Sequence, residues 1–136
     1  MKKLFPIALS VLLAGCITSP KLPDASLYLE VEPESPPAEI RGYWTGAMGP
    51  YISTIQFSES GRGKLCSAYA HGSSVTGIKY AGGKVYTVFF GAADVTLNQN
   101  LLTVKPDDEI YPAYEFFSDT ELVEAADYCK EQLAEG

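Results

Sequence analysis

From residue 40 onward, short stretches of alternating apolar and polar residues are separated by turn residues. In the stretch 51–58, for example, Ile55 and Phe57 fall on one side of an extended chain, and Thr54 and Gln56 fall on the other. A period of two residues is typical of a half-buried β-strand. About seven strands are predicted, at 40–47, 51–58, 64–70, 75–80, 84–90, 94–97 and 101–105. Their connections are too short for crossover helices, so we expect a mainly β fold: a small antiparallel meander sheet or flattened barrel.

The pattern changes after residue 105. Residues 106–117 read as a loop with several aromatic side chains, and Ser118-Asp119-Thr120-Glu121 has the spacing of a helix capping box. We therefore predict one C-terminal α-helix over 119–134, with Cys129 and Leu133 on its apolar stripe. The helix is expected to pack on the strand 64–70, whose small face consists of Cys66, Ala68 and Ala70.

The first fifteen residues have the pattern of a secretory leader. Lys2 and Lys3 precede the apolar run 4–13, and the small residues Ala14 and Gly15 follow it. A membrane-spanning helix needs about 20 apolar residues, and this shorter run is also interrupted by Pro6. Residues 1–15 are therefore predicted to be a signal peptide.

Leu13-Ala14-Gly15-Cys16 resembles the lipobox of bacterial lipoproteins. The resemblance implies that Cys16 receives a diacylglycerol thioether, that the leader is cut before it, and that its new amino terminus is acylated. The acylated Cys16 would then bind the lipid bilayer, since each buried CH2 contributes about 0.8 kcal/mol. Ile17, where an aspartate would imply retention in the inner membrane, implies the outer membrane. The periplasmic and surface faces both remain open.

Residues 16–39 are predicted to be an acidic, proline-rich tether that carries the lipidated cysteine. Segments of this composition cannot bury enough apolar surface to fold alone, and prolines keep them extended. One apolar island, 27–31, is a candidate edge strand docked on the domain. The globular domain is expected to comprise 40–136.

The net charge of the chain limits which classes of partner are expected. Removal of the leader takes two of the ten basic residues and none of the seventeen acidic ones, so the formal net charge falls from −7 to −9. Nucleic acid is therefore not an expected partner, because its phosphates need Lys and Arg. A basic protein such as a lysozyme would suit this charge, although the charge also simply favours solubility.

Cys66 and Cys129 remain once Cys16 is lipidated, and an even pair in an exported chain reads as a disulfide. The loop-entropy relation gives such a bond about 4 kcal/mol of stabilisation. His71 is the single histidine, and there is no Cys-x-x-Cys, so neither a metal nor any other cofactor is predicted.

Gly42-Tyr43-Trp44 resembles the Gly-x-Trp start of lipocalin-like barrels, in which the tryptophan closes one barrel end. The alternative is a core aromatic residue at the start of a strand. A barrel this small is filled by its own side chains, so we do not expect an internal ligand cavity.

Thr76-Gly77-Ile78-Lys79-Tyr80 and the aromatic strand after it resemble the lipid-anchored inhibitors of C-type lysozyme. That resemblance implies a partner-binding surface formed by Thr76, Gly77, Lys79, Tyr80, Tyr86 and Phe90. The sequence departs from the family pattern at Thr76, where serine is expected, and at Phe90, where lysine is expected. The alternative is a plain β-hairpin around 81–83.

Catalytic patterns are weak in this sequence. His71 lies in a predicted turn, and the Gly-x-Ser-x-Gly elbow of many hydrolases does not occur. The run Asp107-Asp108-Glu109 lacks the ligand spacing of a calcium loop. We therefore expect a non-enzymatic binding or envelope-associated module. Lysozyme inhibition is the alternative, and hydrolysis through His71 is a more distant one.

Overall fold

The computed structural model describes residues 25–134. The predicted leader and the lipidation site Cys16 lie outside these residues. Within them, the chain forms eight strands and two α-helices, with a short 3-10 turn at Ala38–Ile40. The elements are α1 (Ala25–Glu30), β1 (Gly42–Met48), β2 (Tyr51–Phe57), β3 (Arg62–Tyr69), β4 (Gly72–Ala81), β5 (Lys84–Thr87), β6 (Gly91–Asn98), β7 (Leu101–Pro106), β8 (Tyr114–Ser118) and α2 (Asp127–Ala134).

The strands form a closed antiparallel barrel in which each strand pairs with the next along the chain and β8 pairs with β1. The mainly β fold class is confirmed, but the barrel has eight strands rather than about seven. The additional strand, β8, comes from the predicted loop 106–117. Its inward Phe116 is fully buried, while Glu115 and Phe117 on either side are exposed, so it does alternate. Pro112 just before it and Glu115 within it hid that pattern.

One hydrophobic cluster fills the barrel. Its inward side chains come from every strand, as the period of two requires. Near one end, the buried indole of Trp44 donates a hydrogen bond of 2.8 Å from Nε1 to the carbonyl oxygen of Ile40. Ile40 is itself buried in the same cluster, so these two residues close that end of the barrel. This is the position implied by the resemblance of Gly42-Tyr43-Trp44 to lipocalin-like barrels.

A second hydrophobic cluster lies outside the barrel, between α2 and β3. Cys66, on the outer face of β3, forms the disulfide with Cys129 of α2, and Leu133 is fully buried beside them. The Tyr43 hydroxyl donates to the carbonyl oxygen of Leu133 at 3.0 Å. The predicted disulfide and the packing of a C-terminal helix on this strand are both confirmed.

The predicted start of that helix was wrong, because α2 begins at Asp127 rather than at residue 119. The Asp119 carboxylate does accept backbone hydrogen bonds, from the N–H groups of Val123 and Glu124. Leu122, however, has a φ of 58°, which a continuing α-helix cannot contain. The capping-box spacing therefore marks an isolated turn that precedes the helix.

Residues 25–40 lie against the barrel wall. The predicted edge strand at 27–31 was wrong: the segment contains the helix α1, which packs on β5 and β6. Lys79 on β4 is buried beneath it, and its Nζ donates to the carbonyl oxygens of Tyr28 at 2.7 Å and Val31 at 3.2 Å. The Glu34 N–H donates to the Tyr80 carbonyl at 2.7 Å. This part of the predicted tether is thus bound to the domain.

Candidate binding site at the open barrel end

The end of the barrel opposite Trp44 contains a cavity of about 280 Å³. Four connections meet at this end, namely those between β1 and β2, β3 and β4, β5 and β6, and β7 and β8. The cavity is lined mainly by apolar and aromatic side chains: Met48, Tyr51, Leu65, Ser67, Ser74, Phe89, Phe90, Tyr111 and Tyr114. The side chains of the first cluster, such as the fully buried Ile78 and Leu102, fill the barrel below it. The cavity is therefore confined to the mouth.

The strand register determines which residues of β3 and β4 face the cavity. Leu65 and Ser67 occupy inward positions on β3, two residues apart, and Ser74 faces inward because it pairs with Ser67. The Ser67 and Ser53 hydroxyls share a hydrogen bond of 2.7 Å. This pair, together with Ser74, supplies the polar groups on this wall of the cavity.

Aromatic rings from two loops form the opposite wall. Phe90, before β6, and Tyr111, before β8, meet edge to face with centroids 6.4 Å apart. The Tyr111 hydroxyl also donates to the Phe89 carbonyl oxygen at 3.4 Å. These contacts hold the two loops together across the cavity.

The rim of the mouth carries exposed apolar side chains. Tyr51 and Tyr69 meet edge to face at 5.0 Å, and Phe89 and Ile110 extend from the loops, with Ile110 77% exposed. Exposed apolar surface around a cleft is typical of a binding site. His71 belongs to this rim, where its ring contacts the edge of Tyr69 at 5.6 Å. No hydrogen bond of the His71 side chain is present among residues 25–134, so no base–nucleophile pair is assembled there.

The electrostatics of the mouth favour a neutral interior. Burial raises the pKa of the Tyr114 hydroxyl, and a smaller contribution comes from Tyr111. Tyr114 is therefore an uncharged phenol at neutral pH. Asp107, at the base of the β7–β8 loop, is paired with Lys84 at 2.9 Å. Within the described residues, His, Cys, Asp and Glu side chains form no group that could hold a metal ion.

The six predicted partner-binding residues do not share one surface. Thr76 and Tyr80 face the barrel interior, whereas Gly77, Lys79 and Tyr86 face outward. Gly77 and Lys79 are in contact with α1, since the Tyr28 hydroxyl lies where a side chain on Gly77 would project. Phe90 alone of the six lines the mouth cavity.

Sequence reasoning missed most of the mouth, including Met48, Tyr51, Ser67 and Tyr111. The available signal was their position: Met48 and Tyr51 flank a Gly-Pro turn, and in a meander every second turn lies at the same end. Inward residues beside alternate turns would therefore have been candidates.

An eight-stranded antiparallel barrel with one end closed by a tryptophan and an apolar cavity at the other end has the architecture of a lipocalin. Residues 25–133 match the sequence model of the family described as "Bacterial lipocalin LPS transport optimiser YedD", and the chain belongs to this family. No curated protein and no solved structure matches the chain. Between residues 25 and 134, neither helix has the length and apolar character needed to cross a bilayer.

Proposed function

We propose that this chain is an outer-membrane-anchored, non-enzymatic binding module that supports LPS transport, the role stated in the description of its family. Its binding site is the open barrel end, which takes a single slender apolar group such as part of one acyl chain. The observation that carries this proposal is the apolar cavity between the filled core and the exposed aromatic rim.

The size of the cavity limits the ligand. Pockets for small molecules typically measure about 300–1,000 Å³. A cavity of about 280 Å³ is at the lower limit of that range, and fully buried side chains fill the barrel beneath it. An LPS molecule has several acyl chains and could not be enclosed here. The geometry therefore supports an accessory role rather than that of a carrier.

Charge supports the same conclusion. The phosphates of LPS would need Lys and Arg partners, whereas this chain has a formal net charge of −7. At the mouth itself, Asp108 and Glu109 are exposed in the β7–β8 loop. The site therefore favours an apolar segment over a phosphorylated head group.

The membrane anchor is the other part of the proposal. Acyl chains on Cys16 would hold the barrel at the outer membrane. Residues 16–24 can span at most ~30 Å when fully extended, and α1 is already bound to the barrel. The mouth would then work close to the bilayer in which LPS is delivered.

Ligand binding can be tested by filling the cavity. Ser74 faces inward and lines it, so Ser74→Trp should abolish binding of a fluorescent fatty acid to a chain comprising residues 17–136. Ser73 is exposed and lies next to it on the opposite face of β4, which makes Ser73→Trp the matched control. Absence of binding to the unmodified chain, or equal binding by both variants, would refute an acyl-chain site.

The role in LPS transport requires a cellular measurement. In cells without the chain, newly made LPS should reach the outer membrane more slowly in a pulse–chase experiment. Wild type and Ser73→Trp should restore the rate, and Ser74→Trp should not. Equal restoration by both variants would show that the role in LPS transport does not depend on the mouth.

A further inference from the structure

A second concave surface lies on the outer wall of the barrel, away from the mouth. It is a groove of about 430 Å³ along β1, between β2 and β8, and it is lined by Thr45, Gly46, Ala47, Ile52, Phe117, Ser118 and Glu124. We call it the wall groove. Neither the barrel core nor the helix α2 covers it, because Phe117 is 58% exposed and Ile52 is 48% exposed.

The floor of the wall groove needs no polar partner. The Thr45 hydroxyl is buried and already bonded to Asp119 at 2.8 Å and to Thr54 at 2.7 Å. The walls include the apolar side chains of Ile52 and Phe117. An aromatic or branched aliphatic side chain could therefore pack on the floor without leaving the Thr45 hydroxyl unpaired.

Carboxylates lie at and beside the wall groove. Glu124 lines it, and Glu115 is exposed on β8, two residues before the lining residue Phe117. Among residues 25–134, neither carboxylate takes part in a salt bridge. Lys or Arg residues flanking an inserted apolar side chain would complement them.

The position of the wall groove favours a protein over a lipid as the occupant. The helix α1 packs on β5 and β6, four strands away from β1 and β2 around a barrel of eight. The helix that follows the tether therefore lies on the opposite side of the barrel from the wall groove. With the anchor proposed above, the tether would attach on that opposite side.

We infer that the wall groove is a docking site for a protein segment that presents one aromatic or branched aliphatic side chain between basic residues. The closed barrel offers no free strand edge for pairing, so recognition depends on this side chain and its flanking charges. The site is separate from the mouth, and it survives if the mouth binds nothing.

Two acetylated probe peptides, Gly-Lys-Phe-Lys-Gly and Gly-Glu-Phe-Glu-Gly, test this inference by NMR on residues 17–136. Both hydrophobic clusters and the disulfide lie within the described part of this chain, so it contains the complete barrel. The Lys peptide should shift amide signals of Ala47, Ile52 and Phe117 in a saturable manner. The Glu peptide should bind about threefold more weakly, the effect expected of exposed charge pairs.

Variants make the test specific. Phe117→Ser should remove the response to the Lys peptide, and Glu124→Gln should reduce the difference between the two peptides. Leu29→Ser, at an exposed apolar residue on α1, should change neither. Well-dispersed spectra of each variant would confirm folding.

Four results would overturn the inference. They are an absence of wall-groove shifts with the Lys peptide, equal binding of both peptides, concentration-dependent shifts at Phe117 without peptide, and wall-groove shifts with zwitterionic lipid bicelles. The last two would identify a second copy of the chain or a lipid as the occupant. Shifts at Leu65 and Ser74 report the mouth, so failure of the proposed function would be visible separately.

Discussion

The hydroxyl of Thr45 donates a hydrogen bond of 2.8 Å to the buried carboxylate of Asp119, across 74 residues of sequence. The same carboxylate accepts the backbone N–H of Val123 at 2.7 Å and that of Glu124 at 3.1 Å. One side chain thus fixes the connection between β8 and α2 onto β1. The barrel is closed by the β1–β8 ladder, and this bond network lies directly beside that ladder.

Replacing Asp119 should weaken the fold markedly. Asp119→Ala leaves the buried Thr45 hydroxyl and two part-buried N–H donors without this acceptor. Such a loss costs about 1–3 kcal/mol for a buried group and less for a partly exposed one. We expect the free energy of unfolding to fall by about 2–4 kcal/mol in urea titrations. Asp119→Asn keeps one acceptor oxygen and should lose less, and Glu121→Ala, at an exposed residue nearby, should lose little. Equal stability of Asp119→Ala and Asp119→Asn would contradict this role.

The same aspartate shows what a local sequence pattern can and cannot predict. The capping-box spacing of Ser118-Asp119-Thr120-Glu121 predicted a helix start capped by the serine, whereas the side chain that accepts backbone N–H groups is that of Asp119. The pattern could not show that Thr45 also binds this carboxylate, nor that Leu122 adopts a φ of 58°. The predicted helix start is thus a turn, joined to a distant strand by a tertiary hydrogen bond.

The disulfide should supply a large share of the stability. Cys66 and Cys129 are fully buried and separated by 63 residues, a loop for which the chain-entropy relation gives about 4 kcal/mol. Cys66→Ala combined with Cys129→Ala should therefore lower the midpoint of guanidinium unfolding, followed by Trp44 fluorescence. Added reductant should lower the midpoint of the wild type and leave the double variant unchanged. A reductant-insensitive wild type would show that the bond is not formed.

The barrel and the binding mouth differ in how far the sequence predicts them. Strands such as β2 follow from their own alternation, and Cys129 on an apolar stripe indicated where the helix packs. The mouth, by contrast, is assembled from Met48, Ser74, Phe90 and other residues on separate strands and loops. Their proximity depends on closure of the barrel, which required β8, the strand that its neighbouring proline and glutamate concealed.

Lys79 should hold the N-terminal helix on the barrel. Its Nζ donates to the carbonyl oxygens of Tyr28 and Val31 and lies 4.7 Å from the centre of the Tyr28 ring. Lys79→Met keeps the apolar stem and removes the donor, so α1 should detach more often. Chymotrypsin should then cleave after Tyr28 about tenfold faster or more, as expected when charged hydrogen bonds worth about 1.5–3 kcal/mol are lost. Lys130→Met, at a partly exposed lysine on α2, is the control, and equal cleavage of both variants would exclude this role.

The ion pairs of Lys84 should add a small, pH-dependent stabilisation. Its Nζ lies 2.8 Å from Asp94 and 2.9 Å from Asp107, and hydrogen bonds to Asp94 and then Asp107 raise the pKa of the Lys84 ammonium above 10.5. A raised pKa in the folded state means that the stabilisation is complete below pH 10.5 and is lost as the pH rises through the folded value. Because both carboxylates are half exposed, Lys84→Met should cost at most about 1 kcal/mol at neutral pH. Salt should reduce this difference, and a difference that persists at strongly alkaline pH would contradict the ion-pair origin.

Cys16 tests the membrane anchor. Cys16→Ser removes the only atom that can carry the thioether in the lipobox-like sequence, so labelled palmitate should no longer be incorporated and the leader should be retained. The native chain should fractionate with the outer membrane. Cys66→Ala with Cys129→Ala serves as the control, because it removes the other two cysteines and should leave lipidation intact. If Cys16→Ser is still acylated and processed, the barrel is not held by this residue. The position of the anchor would then no longer favour a protein over a lipid in the wall groove, and binding of the Lys peptide there would be judged by the NMR measurement on its own.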